Sequence, residues 1–238
     1  MSKTNLGTAR SLSSSEFLIG LSVVYGIVAV LMNILCMKSL SFGTSVIICD
    51  GGLLISWMVF LVANIITEVW GEKTAIKLSF FVAILSFAFM LVARIEVLIP
   101  SLPEYAEQTE AFAKIFSNGP RTIISSAVAF WIGNVINVHI IYIIKVRLEK
   151  NGKDRGSLFF FRASFSTLIG QLVDNAVFMA LAFAPIGLSV YEMRWYDILT
   201  AVLSGTVIEL IVESFFVPLI TFPLTRKIQR VKVQEEKE

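Results

Sequence analysis

Charge is scarce in this chain. Only 16% of its 238 residues are Asp, Glu, Lys or Arg, against about 25% in soluble domains. Histidine occurs once, at His139 inside an apolar run, so a catalytic triad within the membrane is not expected. No His-Glu-x-x-His, Gly-x-Ser-x-Gly, P-loop or Gly-x-Gly-x-x-Gly motif is present, so no enzyme signature or cofactor fingerprint appears. Cysteine occurs twice, at Cys36 and Cys49, both at the ends of apolar runs. Two such residues read as small packing groups, not as a disulfide framework or a metal site. Sustained polar–apolar alternation is missing, which argues against a barrel. Nothing points to nucleic-acid binding.

What remains is apolar. Hydrophobic residues make up 56% of the chain and the mean hydropathy is +0.78. Six runs are long enough to cross a bilayer as helices, at 17–37, 45–67, 75–95, 122–144, 158–184 and 198–222. The chain reads as an all-α integral membrane protein, one six-helix domain over 17–224. Residues 1–16 form an N-terminal tail and 225–238 a charged, disordered C-terminal tail. Three spans per half allow two inverted halves. With both termini cytoplasmic, fifteen of the twenty Lys and Arg fall on the inner side, as the positive-inside rule requires. The cluster from Lys145 to Arg155 is chiefly such a topology signal, with anionic lipid binding second. The longest outer segment, Arg94 to Arg121, is either a tether or a short amphipathic interfacial helix.

One stretch stands out in the fifth run, Gly170-Gln171-Leu172-Val173-Asp174-Asn175. A carboxylate at the middle of a span costs about 2.5–3.5 kcal/mol on insertion scales. Thr167, Gln171, Asp174, Asn175 and Phe178 share one helical face, which should point at protein or a water-filled cavity. The fourth run carries an echo, Gly133-Asn134-Val135-Ile136-Asn137. If the two spans are antiparallel neighbours, the copies meet at one depth.

Other polar residues are candidates too. In the second run Trp57, Phe60, Asn64, Thr67 and Glu68 fall on one face, suited to stacking and edge-bonding a flat ring. Alternatively Trp70 is interfacial and Glu68 faces the cytoplasm. Glu209 and Glu213 lie one turn apart in the sixth run. They are either a proton-coupling pair, or Glu213 pairs with Arg162 or another basic residue while hydrogen bonds hold Glu209 neutral. His139 is either a proton carrier or a satisfied hydrogen-bonding residue. Asp50-Gly51-Gly52 reads as a turn or a flexible helix start.

Thr67-Glu68-Val69-Trp70-Gly71, Pro120-Arg121, and Ser166-Thr167 with Gly170-Gln171-Leu172-Val173-Asp174, in that order, resemble the queuosine precursor transporters, earlier grouped as vitamin uptake transporters. The likeness runs from about Asn33 to Leu224. It implies a six-helix inner-membrane importer of 7-deazaguanine bases, without a cofactor. Asp174 would take the donors of the guanine-like edge, with Gln171 and Asn134 as amide partners. Asn64 stands where the family usually has Asp, and Asn134 and Asn137 where Gln and Asp are expected. Glu209 replaces a base, and Glu213 stands at an acidic position. These departures bear on which base is carried.

The expected site therefore lies between the second, fourth and fifth spans. Asp174, Gln171, Asn134 and Asn137 bind the base edge, Asn64 and Glu68 close the cytoplasmic side, and Trp57 or Phe60 stacks. Asn175 and Phe178 complete the face; Glu209, Glu213 and His139 are candidates for proton coupling. The expected partners are a small heterocyclic base and membrane lipid, with a homodimer as one arrangement. A vitamin-binding subunit of an energy-coupling-factor importer and a non-transporting sensor or assembly protein are the alternatives.

Overall fold

The computed structural model describes residues 12–36, 38–41, 48–116, 120–151, 156–187 and 192–237. The N-terminal tail to residue 11 and Lys153 to Arg155 of the basic cluster lie outside these. Helix α1 spans Ser14–Leu35. Ser13 caps it: the hydroxyl accepts from the Glu16 amide at 3.2 Å, and the Glu16 carboxylate accepts from the Ser13 N–H at 2.7 Å. This reciprocal cap satisfies two orphan donors and starts the helix before the apolar run does.

The second span begins later than residue 45. Strand β1, Ser39–Ser41, pairs antiparallel with β2, Ile48–Asp50, setting Leu40 opposite Cys49. The Gly51 N–H donates to the Lys38 carbonyl at 2.7 Å, and a Cβ at Gly51 would sit 2.5 Å from the Leu35 carbonyl oxygen. That close approach fixes a turn, so helix α2 starts only at Leu53 and runs to Trp70. It is the central helix, with fourteen of its eighteen residues buried. Gly71, at φ 87°, both ends α2 and begins α3, Glu72–Val97. A left-handed conformation of this kind suits glycine.

The segment after α3 contains a helix, α4, Ala106–Phe116, preceded by a 3₁₀ turn at Pro103–Tyr105. None of its residues is buried, and its Phe112 and Phe116 rings sit 4.6 Å apart. The next two helices are α5, Pro120–Lys150, and α6, Gly156–Phe183. Helix α7, Trp195–Phe216, runs through a π-helical turn at Val217–Thr221 into α8, Phe222–Glu235. Pro218 and Pro223 bracket the bend, as prolines and π turns do. The C-terminal segment is thus an ordered helix where the sequence suggested disorder. Ile228 is wholly buried with the core of α1 and α2, so α8 folds under the bundle. Its end meets the start of α1, where Ser14 donates from its hydroxyl and its N–H to the Glu235 carboxylate at 2.5 and 3.0 Å. We call this side the terminal face and the opposite side the hairpin face.

Among the described residues, six helices are long and apolar enough to cross a membrane: α1, α2, α3, α5, α6 and the α7–α8 run. Their outward residues are large and apolar, among them Ile19, Val23, Ile27, Phe81 and Val92. The most extensive pairing is α5 with α6. There the sequence echo becomes a contact. A Cβ on Gly133 would lie 2.7 Å from Asp174 Cβ and 2.9 Å from the Gly170 carbonyl. A Cβ on Gly170 would lie 2.7 Å from Asn137 Cβ and 3.0 Å from the Gly133 carbonyl. Each glycine faces the residue four positions past the other, a local two-fold relation at one depth. Small residues at such crossings let backbones approach closely in membranes. Gly170→Ala should therefore cost about 1–3 kcal/mol through overpacking. The lower unfolding midpoint in detergent checks this, against Gly20→Ala, where nothing lies within 4 Å.

Candidate functional site

The polar interior is arranged in three levels. The first, nearest the hairpin face, surrounds a small cavity of about 60 Å³ between α1, α2, α5, α6 and α7. Asp174, Asn175 and Phe178 reach it from α6, Glu209 from α7, Ser56 from α2, and Ser126 and Phe130 from α5. The Glu209 carboxylate accepts from the Ser56 hydroxyl and, at 3.1 Å, from the Asn175 amide, which also donates to Thr206 Oγ1 at 3.1 Å. Asn33 closes the α1 side. Its oxygen accepts from Ser126 at 2.5 Å and its nitrogen donates to Ser86 at 2.6 Å.

The second level is a chain of wholly buried side chains. Asn137 donates to Asn64 at 2.9 Å, Asn64 to Thr167 at 3.0 Å, and Thr167 to Glu213 at 2.7 Å. It ties α5, α2, α6 and α7 together. Gln171, one turn from Thr167, is fully buried with neither amide atom hydrogen-bonded. Asn137 Oδ1 and Glu213 Oε2 are likewise buried without a partner. Buried polar atoms are almost always paired, and a lost pairing costs about 1–3 kcal/mol. Gln171, Asn137 and Glu213 thus keep hydrogen-bonding capacity that the described side chains leave unused. A branch leads off this level, where the Tyr25 hydroxyl meets Asn134 Oδ1 at 2.9 Å and Ser79 at 2.8 Å.

The third level, toward the terminal face, is ionic. Arg162 grips the Glu68 carboxylate through Nε at 2.8 Å and Nη2 at 3.0 Å, and Lys145 Nζ stands 3.3 Å from it. Glu68 and Arg162 are both buried. Lys145, Gln229 and Lys232 donate to the carbonyls of Glu68 and Val69 at the end of α2. Cations at a helix C-terminus complement its dipole, and a forked arginine bond is the strong form of the pair.

The structure brings together only part of the site expected from the sequence. Asp174, Asn175 and Phe178 share the cavity with Glu209. Asn64 and Asn137 lie beneath it, bonded to each other, and Phe60 packs against the glycine crossing, its Cε1 3.0 Å from where a Gly170 Cβ would be. Asn134 turns away to Tyr25. Trp57 stacks on Phe216 at 4.2 Å and so fills a helix contact. Glu68 is an ion-pair partner, and it, not Glu213, holds Arg162. His139 lies at the surface with Nδ1 2.5 Å from Glu72 Oε1, away from Glu209 and Glu213. Sequence reasoning missed Asn33, Ser56 and Ser126. Ser56 could have been found, since 56, 60, 64 and 68 recur at one-turn spacing on α2.

These levels lie almost wholly within one conserved unit of known proteins. A family model described as Putative vitamin uptake transporter matches residues 50–222, well over half of the chain. The chain belongs to this family. No curated protein and no solved structure matches it. This vitamin uptake transporter family member is a multi-pass membrane protein, and its matched stretch spans α2 to the π turn, with α1 and nearly all of α8 outside it. In the family member, α8 adds its donors to the ionic level from outside that stretch. Arg162→Leu leaves a buried carboxylate with less compensation and should cost about 3–5 kcal/mol. Thermal unfolding in detergent reads this, and Glu68→Leu/Arg162→Leu should regain most of the loss. A single variant near parental stability would mean that Lys145 alone satisfies Glu68.

Proposed function

We propose that the protein imports a 7-deazaguanine-type base, a queuosine precursor, across the cytoplasmic membrane with both termini inside. The cavity lined by Asp174, Asn175, Phe178 and Glu209 is the observation that carries this reading. A guanine-like edge presents ring N–H and amine donors, which carboxylates accept, and a carbonyl, which an amide donor meets. Phe178 and Phe130 offer flat apolar faces for stacking. Asp174 takes the donor edge, Asn175 the carbonyl side, and Gln171 lies one turn deeper to receive the base as it advances.

The cavity is well below the roughly 300–1,000 Å³ of ordinary ligand pockets, so the base enters as the helices part. The Asn137–Asn64–Thr167–Glu213 chain and the Glu68–Arg162–Lys145 cluster then stand between the cavity and the terminal face, as two closures in series. Alternating access opens them after the hairpin side has shut. Glu209 and Glu213, one turn apart on α7, are the candidates for carrying a coupled proton. His139 lies off this route.

The family description favours a second reading, in which the cargo is a vitamin and the protein serves an energy-coupling-factor importer. Copurification of an ATPase module would support that. The test uses the purified protein in detergent against cyano and aminomethyl deazaguanines, queuine, guanine and several vitamins. A ligand at a hundred times its Kd adds about 2.7 kcal/mol to stability. Asp174→Asn should abolish that shift and cellular uptake of the base while membrane insertion stays intact. Normal uptake by this variant refutes the assignment.

A further inference from the structure

We propose that the groove between α1 and α3 binds one anionic phospholipid from the leaflet at the terminal face. The groove holds about 1210 Å³ and is walled by Ile19, Val23 and Ile27 of α1 and by Phe81 and Leu85 of α3. These side chains are all exposed and apolar. One end is different. Lys73 and Lys77, one turn apart on α3, line it there. Neither is in an ion pair among the described residues. The adjacent carboxylate, Glu72, is engaged by His139 at 2.5 Å.

The dimensions match a lipid. From Lys73 to Leu85 is twelve residues of helix, about 18 Å at 1.5 Å per residue. One leaflet of a hydrocarbon core about 30 Å thick measures about 15 Å. The two ammonium groups therefore stand at headgroup depth, and the apolar walls run the length of an acyl chain. The charge selects an anionic headgroup over a zwitterionic one. It also argues against a second copy of the chain. Two copies in one membrane orientation, related by a two-fold along the normal, would set four ammonium groups at one depth.

The test is retention of lipid by the full-length protein in native mass spectrometry, after exposure in detergent to palmitoyl-oleoyl phosphatidylglycerol or phosphatidylcholine. Phosphatidylglycerol should be retained about thirtyfold more, the scale expected of two basic residues near an anionic headgroup. Lys73→Gln/Lys77→Gln should lose the preference and Lys73→Arg/Lys77→Arg should keep it. Arg226→Gln/Arg230→Gln, on α8, should also keep it. Equal retention of the two lipids overturns the proposal. So does a preference that survives Lys73→Gln/Lys77→Gln or vanishes only with the α8 variant. Efficient disulfide-linked dimers of Ile27→Cys in phosphatidylglycerol nanodiscs would instead assign the groove to a second copy.

Discussion

The approach of α5 to α6 governs the interior. Two glycines at one depth let the backbones meet, and every polar side chain around them takes its direction from that crossing. Asn137 stands over Gly170 and Asp174 over Gly133. A bulkier residue at either place would part the helices and move Asn137 off Asn64 and Asp174 off the cavity. In hydrocarbon, where helices gain little from burying apolar surface against one another, such close packing is a main source of association.

The second constraint is that polar groups in the membrane must find partners. The levels satisfy it by different means. The ionic level uses charge pairing with forked geometry, which is rigid and costly to break. The middle level uses neutral amides and hydroxyls, whose individual bonds are worth only about 1 kcal/mol net. The cavity level leaves the Glu209 carboxylate bonded to Ser56 and Asn175, small donors that a ligand could replace. Resistance to opening therefore rises from the hairpin face toward the terminal face.

Much of this was legible in the sequence. Apolar runs located the six spans, and the Gly-amide echo foretold a meeting of the fourth and fifth. Of the stripe on the fifth span, Asp174, Asn175 and Phe178 line one cavity, while Thr167 bonds Asn64 and Glu213 instead. What periodicity cannot supply is the neighbour. Asn134 and Asn137 lie nearly one turn apart, yet Asn134 faces α1 and Asn137 faces α2. Trp57 shares a face with Asn64 but meets Phe216 before any cavity. Glu68 looked like a site residue because nothing local shows that Arg162, ninety-four positions on, reaches it. The late start of α2 hid for a similar reason, since the contact of Gly51 with Leu35 is tertiary. The helix at the C-terminus escaped notice because its charges outnumber its anchors, of which Ile228 is the one wholly buried.

Gly71 has a mechanical meaning. It is the entire link between α2 and α3, and one residue spans only about 3.8 Å. Such a joint can swivel but has no slack. A tilt at the Glu68 end of α2 must carry the first turn of α3 with it. The central helix and α3 thus behave as the two arms of one lever, with the fulcrum at Gly71.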